Sequence, residues 1–277
     1  MTGERSRYRR LLLDLRHAGG DPATLSAVFA LARLLELDPL GIFVEDEDVL
    51  CVAGLPFARE LCLPMRAWRA LDPARLAAEM AGLAGQARRE FERASSAAGR
   101  PARFTRLRGD PGALLAEQAD EADIIAVAAS ATPSGLADTA TRRLEEAVLA
   151  VGRAVLMLPP RLMRTRGPVA AVILAAAAGE LDIAIRLAVA AGEPLLLLSA
   201  AGERETAAAV AAAEASGMAA SRIVVRALTA ATDEAILAGL AGVGERLLVL
   251  PRTRAGARLS VLAAARGVPI LAVGQQA

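Results

Sequence analysis

Chemistry at a protein site needs nucleophiles, bases or metal ligands, and this sequence supplies few of them. It contains no Lys and no Asn, one His at position 17, one Tyr at position 8, one Trp at position 68, and two Cys at positions 51 and 62. Without Lys there is no Walker-type phosphate lysine and no Schiff base. A serine nucleophile would have to take its base from His17, yet no Gly-x-Ser-x-Gly elbow occurs, and the Ser-Gly steps at Ser134 and Ser216 lack the preceding Gly. One His, with no ligand spacing among His, Cys, Asp and Glu, argues against a catalytic zinc site. Cys51 and Cys62 give neither a disulfide framework nor a zinc cluster; they read as small apolar residues packed under a loop, with a redox pair as the alternative.

Residues that could hold a ligand concentrate in the small-residue loop 129–141 and the segment that follows. Thr141 can cap a helix, and Arg142 or Arg143 can complement phosphate. Ser130, Gly135, Thr141 and Arg142 therefore describe either a surface loop ending in a capped helix or an anion pocket. The run Glu45-Asp46-Glu47-Asp48 reads as solvated charge, with a metal or partner contact as the alternative. His17 reads as a hydrogen-bonding residue at the exit of the first strand.

The elements that must position these residues form one unit spelled twice. Short apolar runs that read as strands fall at Leu11–Leu15, Leu40–Val44, Phe104–Leu107, Ile124–Ala128 and Val155–Leu158, and again at Ala171–Ala175, Leu195–Ser199, Val224–Leu228, Leu247–Pro251 and Ile270–Val273. Helical patterns separate them, several started by Asp-Pro steps at Asp21, Asp72 and Asp110. The long charged helix after Asp72 reads as a solvated outer helix. Such alternation means crossover connections and parallel sheets, with ligands beyond the carboxyl ends of the strands. The predicted units span 1–160 and 168–277, joined by an Arg- and Pro-rich linker. Only the first carries an insertion, Glu45 to Asp72. Its many large apolar residues predict a segment that covers a sheet edge, the interface of the halves or a partner. The uncharged closing strands predict that the halves pack through Val155–Leu158 and Ile270–Val273.

Composition narrows the function classes. The 277 residues carry 32 basic and 31 acidic side chains, a net charge of +1, so no global field gathers nucleic acid or anionic lipid. The apolar fraction is 55%, but Ala supplies much of it and no run reaches the roughly 18 to 20 residues of a spanning helix. The amino terminus lacks the apolar core of a signal peptide. These features predict a cytoplasmic protein with no nucleic-acid or membrane partner; a protein partner is expected, its identity open, and further homodimerisation is allowed.

Two stretches carry a family resemblance. Ile125-Ala126-Val127-Ala128-Ala129-Ser130-Ala131-Thr132-Pro133-Ser134-Gly135-Leu136 is similar to the fourth strand and glycine-bearing loop of the universal stress protein family, and Gly152-Arg153-Ala154-Val155-Leu156-Met157-Leu158 to its last strand. With the element order, the whole chain resembles the tandem two-domain members. The resemblance implies an α/β fold of two five-stranded parallel-sheet domains, Rossmann-like and related to the adenine nucleotide alpha hydrolases, forming an internal pseudo-dimer. ATP-binding members carry Gly-x-x-Gly, nine residues, then Gly-Ser or Gly-Thr. Here Thr132 replaces the first Gly, Gly135 keeps the second, and the Gly-Ser pair is lost near Thr139 to Arg142. The family's strand-one Asp aligns with Arg16, while Asp14, two residues earlier, shares its face. The resemblance thus implies a non-enzymatic stress-response or regulatory protein with no cofactor, or a weakly bound ATP- or AMP-type nucleotide in the first domain. Asp14, Val44, Ser130, Gly135, Thr141 and Arg142 would line that site. The alternative is an ATP-binding or ATP-hydrolysing switch using the same pocket. The second half, with no acid on its first strand and a short loop Arg252 to Ala257, predicts no second nucleotide site.

Overall fold

The structure is a computed structural model and describes residues 8–18, 21–62, 66–120, 123–128, 144, 146–150, 154–174, 178–252 and 259–274. The first half contributes β1 (Arg10–Asp14), β2 (Asp38–Asp46), β5 (Arg103–Gly109), β6 (Asp123–Ala128) and β7 (Ala154–Leu158), with the insertion adding β3 (Arg59–Cys62) and β4 (Ala67–Ala70). The second half contributes β8 (Val169–Ile173), β9 (Leu195–Ser199), β10 (Ile223–Ala227), β11 (Leu247–Pro251) and β12 (Ile270–Val273). All ten main strands form one sheet, ordered β10-β9-β8-β11-β12-β7-β6-β1-β2-β5. Read outward from the centre, each half has the same order.

Pairing is parallel within each half and antiparallel at the centre, where Met157, Leu156 and Val155 of β7 face Ile270, Leu271 and Ala272 of β12. The closing strands therefore pair as the sequence predicts. Both are fully buried apolar runs, as strands covered on both faces must be. Every strand overlaps its apolar run, with ends displaced by at most two residues: β2 extends two residues beyond Leu40–Val44 at each end, and β8 starts at Val169, two residues before the expected Ala171.

In the first half, helices α1 (Leu15–Ala18), α2 (Pro22–Leu34), α3 (Glu47–Ala53), α4 (Pro73–Ala98) and α5 (Pro111–Gln118) connect the strands. The Asp-Pro steps work as the sequence indicates. Asp21 accepts from the amides of Ala23 and Thr24 at 3.1 and 3.2 Å, Asp72 from Ala74 at 2.9 Å and Asp110 from Ala113 at 2.6 Å, each with Pro at the first helical position. Gly99, at φ 63°, closes α4 in the left-handed conformation that favours glycine. The second half uses α6 (Ala178–Ala191), α7 (Glu203–Ala215), α8 (Asp233–Gly239) and α9 (Leu259–Arg266).

Strand alternation divides the core in two. Leu11 and Leu13 point to the layer that holds α2, α4 and α6, while Leu12, Ile42 and Val44 point to the other, with Leu115 and Val148. The long helix α4 is more than the solvated helix expected. Its charged face is outward, but Ala84, Ala87 and Phe91 are buried, and Phe91 meets Phe29 of α2 with ring centroids 5.2 Å apart. Gly41 of β2 permits this approach, since a Cβ there would lie 2.6 Å from Leu15 Cδ1 and 3.0 Å from the Phe91 ring.

The insertion departs from expectation in part. It forms α3 and a separate hairpin, β3 with β4, tied by Glu60 to Arg69 and Arg75. Ala53 of α3 is buried, but Val49, Val52, Leu55, Leu61, Phe57 and Trp68 are exposed, the last two at 75% and 62%. The described part of the segment thus lies in part on its own half, where α3 meets α4 and the edge strand β5, while the two hairpin strands pair with each other and leave Phe57 and Trp68 uncovered. Cys51 is exposed and Cys62 half-buried, both free, so Cys51 is not packed under a loop.

Candidate functional site

The crevice that parallel sheets reserve for ligands lies, in the first half, beyond Asp14, Asp46, Gly109 and Ala128, the carboxyl ends of β1, β2, β5 and β6. Asp14 ends β1 in register with Ile42, so Asp14 and Val44 share one face, with Val44 buried in the layer of Leu12 and Ile42. Asp14 is buried and occupied. Its Oδ1 accepts from the Arg16 amide at 3.1 Å and from Arg16 Nε at 3.0 Å, and its Oδ2 from Arg16 Nη2 at 2.8 Å. The chain turns from β1 directly into α1, which places Arg16 two residues on and within reach of its own strand end. Burial works against the Arg16 charge, but Asp14, with Asp46 and Asp110 behind it, outweighs this and holds the guanidinium more firmly protonated than a free one. Asp14 and Val44 are thus brought together, with Arg16 folded onto the acid. Ser130, Gly135, Thr141 and Arg142 lie outside the described residues, as does the side chain of His17.

The acidic run 45–48 is solvated only in its second half, where Glu47 and Asp48 are exposed. Glu45 and Asp46 are the last residues of β2, and Glu45 is buried. It accepts from Arg106 Nε at 2.6 Å and from Arg108 Nη2 at 3.1 Å, both on β5. Asp46 caps α3 through the Asp48 amide at 3.0 Å. The run looked solvated because its arginine partners lie some sixty residues further along the chain.

The equivalent crevice of the second half lies beyond Ile173, Ser199 and Pro251. It holds polar groups that strand reading missed. Ser199 Oγ and Thr206 Oγ1 are 2.6 Å apart. Glu180, in the first turn of α6, is buried, and neither its Oε2 nor the buried Nη1 of Arg252 has a hydrogen-bond partner among the described residues. Burial raises the Glu180 carboxyl above the usual carboxylate range, with a backbone hydrogen bond opposing. The acid of this half thus sits on the helix after the first strand, not on the strand. An isolated Glu opening an Ala-rich helix was the available signal. Among the described residues no group of three or more His, Cys, Asp and Glu could hold a metal ion.

This architecture has solved counterparts. A universal stress protein from Archaeoglobus fulgidus DSM 4304 superposes with a TM-score of 0.67 at 15% identity, covering 97% of this chain and 98% of that one. A putative universal stress protein from Pseudomonas aeruginosa UCBPP-PA14 gives 0.52 at 16% identity, covering 98% and 95%. No family model and no curated protein matches the sequence. The chain has the universal stress protein fold, with two halves of identical strand order joined through their closing strands. No helix among the described residues is long and apolar enough to cross a membrane.

Proposed function

We propose that the protein is a non-enzymatic stress-response or regulatory protein of the tandem universal stress protein type, whose first-half crevice takes an ATP- or AMP-type nucleotide weakly or not at all. The carrying observation is the Asp14–Arg16 pair. An acid at this strand end is useful to a nucleotide only if its oxygens are free to accept from the base or sugar. Here four hydrogen bonds from Arg16 engage both oxygens. The same pair neutralises the cation that could meet a phosphate, and Asp46 and Asp110 add negative field to the crevice. The absence of Lys and the single His support a role without turnover. Such a role acts through a protein partner, since a net charge of +1 gives no attraction for nucleic acid.

Titration calorimetry with magnesium ATP on the full chain tests this reading. We expect no heat, or a single site weaker than about 1 μM, equivalent to roughly −8 kcal/mol. A site tighter than this that is lost on substituting Asp14 would overturn it, as would steady ATP hydrolysis by the purified protein.

A further inference from the structure

The halves meet over more than the central strand pair. Between α2 of the first half, α6 of the second and linker residues 162–166 lies a cleft of about 560 Å³. Its charge is one-sided: Arg33 of α2, Arg164 and Arg166 of the linker and Arg246 ahead of β11 line it, against the single acid Glu193. Arg164 is engaged, donating to the carbonyl oxygens of Glu245 and Arg266 at 3.1 and 2.9 Å. Arg33, Arg166 and Arg246 make no side-chain hydrogen bond or ion pair among the described residues. Glu193 Oε1 accepts from the Gly167 amide at 3.3 Å.

Arg246 is half-buried. Burial makes its guanidinium hold its proton less tightly than a free one, with Glu193 opposing and Arg166 adding to the effect. Guanidiniums gathered round one cleft without hydrogen-bonded partners repel each other, and the half-buried Arg246 is also poorly solvated; a bound anion would relieve both costs, and the exposed Arg33 and Arg166 can turn onto it.

We propose that this cleft binds a small, multiply charged anion of the diphosphate class, held by Arg33, Arg166 and Arg246 and bridging the two halves. The planar fork of Arg matches phosphate oxygens in pairs. The volume falls within the roughly 300–1,000 Å³ of small-molecule sites. Ala30, Leu34 and Pro269 supply an apolar wall on which an organic group attached to the phosphates can lie. None of the lining residues belongs to the crevice of Asp14, so nucleotide heat that disappears in Arg246→Gln belongs to this cleft, and heat that survives it belongs to the crevice.

Titration calorimetry of the full chain with inorganic pyrophosphate, and in parallel with adenosine diphosphate, tests the proposal. We expect one pyrophosphate per chain, with Arg33→Gln and Arg246→Gln each weakening it at least about tenfold. Arg89→Gln, an exposed arginine on α4 outside the cleft, should leave it unchanged. Adenosine diphosphate binding more tightly than pyrophosphate, and lost with Arg246→Gln, would identify the physiological ligand as an organic diphosphate. Without ligand, Arg246→Gln should melt no lower than the parent, because it removes a half-buried charge beside another arginine, so lost binding is not lost folding. At about one hundred times Kd, pyrophosphate should raise the parent's Tm by roughly 5 to 10 °C and leave that of Arg246→Gln in place. No heat with the parent protein, an affinity in either cleft variant equal to the parent's, or an equal loss in Arg89→Gln would overturn the proposal.

Discussion

The two outer strands of the sheet, β5 and β10, hold equivalent places and are guarded in different ways. β5 carries Arg103, Arg106 and Arg108, has Glu45 locked against it, and is roofed by α4, whose Arg88 lies 5.9 Å from the centre of the Phe104 ring. β10 offers Val224 and Val225 to solvent at 46% and 43%, and its Arg226 is turned to the carbonyl oxygens of Gly239 and Ala241. The helices over these edges differ likewise: α4 has 26 residues and buries Phe91, while α7 has 13 and buries only Ala209 and Ala213. Strand order fixes where an edge must be. It leaves open whether large side chains and charge protect that edge or whether it stays bare.

Removing the aromatic anchor is the strongest way to break this asymmetry. Phe91→Ala should cost about 3 to 5 kcal/mol, read by urea denaturation, whereas Ala213→Gly on α7 should cost only about 1 kcal/mol. Equal losses would mean that the two roofs bear the same load. Glu45→Ala comes next. It strips Arg106 and Arg108 of their shared acid, but both arginines are partly exposed, so the loss should be about 1 to 2 kcal/mol and should shrink little in high salt because Glu45 itself is buried.

A third test compares the crevices through pH. The Glu180 carboxyl is raised by burial, so the folded chain prefers it protonated. Its stabilising contribution is complete below the unfolded carboxylate pKa of about 4.3 and is lost as pH rises through the folded value. Glu180→Gln should therefore raise Tm at pH 7, with the gain vanishing toward pH 4. A gain independent of pH would assign the effect to packing instead. The smallest effects belong to exposed apolar residues. Val224→Lys, and Phe57→Ser with Trp68→Ala in the inserted hairpin, should each change stability by less than about 0.5 kcal/mol. Light scattering should then report reduced association for Val224→Lys. A large stability loss from the hairpin changes would show that those side chains are covered in solution.

How far the sequence revealed this structure depended on the range of the interaction. Apolar runs bounded by Gly, Pro and Asp located the strands because burial on both faces leaves a local imprint, and Asp21, Asp72 and Asp110 were legible because a cap and its amides are two or three residues apart. Glu45 was not, since its burial depends on arginines across the sheet. The insertion misled for a related reason: a count of apolar residues shows that water is a poor environment for them, but not what covers them. The cleft arginines come from a helix, a linker and a strand entry, separated by more than two hundred residues between Arg33 and Arg246, and nothing local marks them as neighbours. Within the candidate crevice the sequence singled out Asp14 and noted Arg16 two residues on, but not that the two would pair.

The antiparallel seam between β7 and β12 has a consequence for tolerance to change. In a dimer of identical subunits joined this way, the seam would be its own mirror partner, and every substitution would enter twice, once on each side of the axis. Covalent fusion removes that doubling. Met157 can face Ile270, and Leu156 can face Leu271, without either pairing having to be self-complementary. The tether also keeps the second strand at a high effective concentration, so a weakened seam reassembles within the same molecule instead of depending on protein concentration.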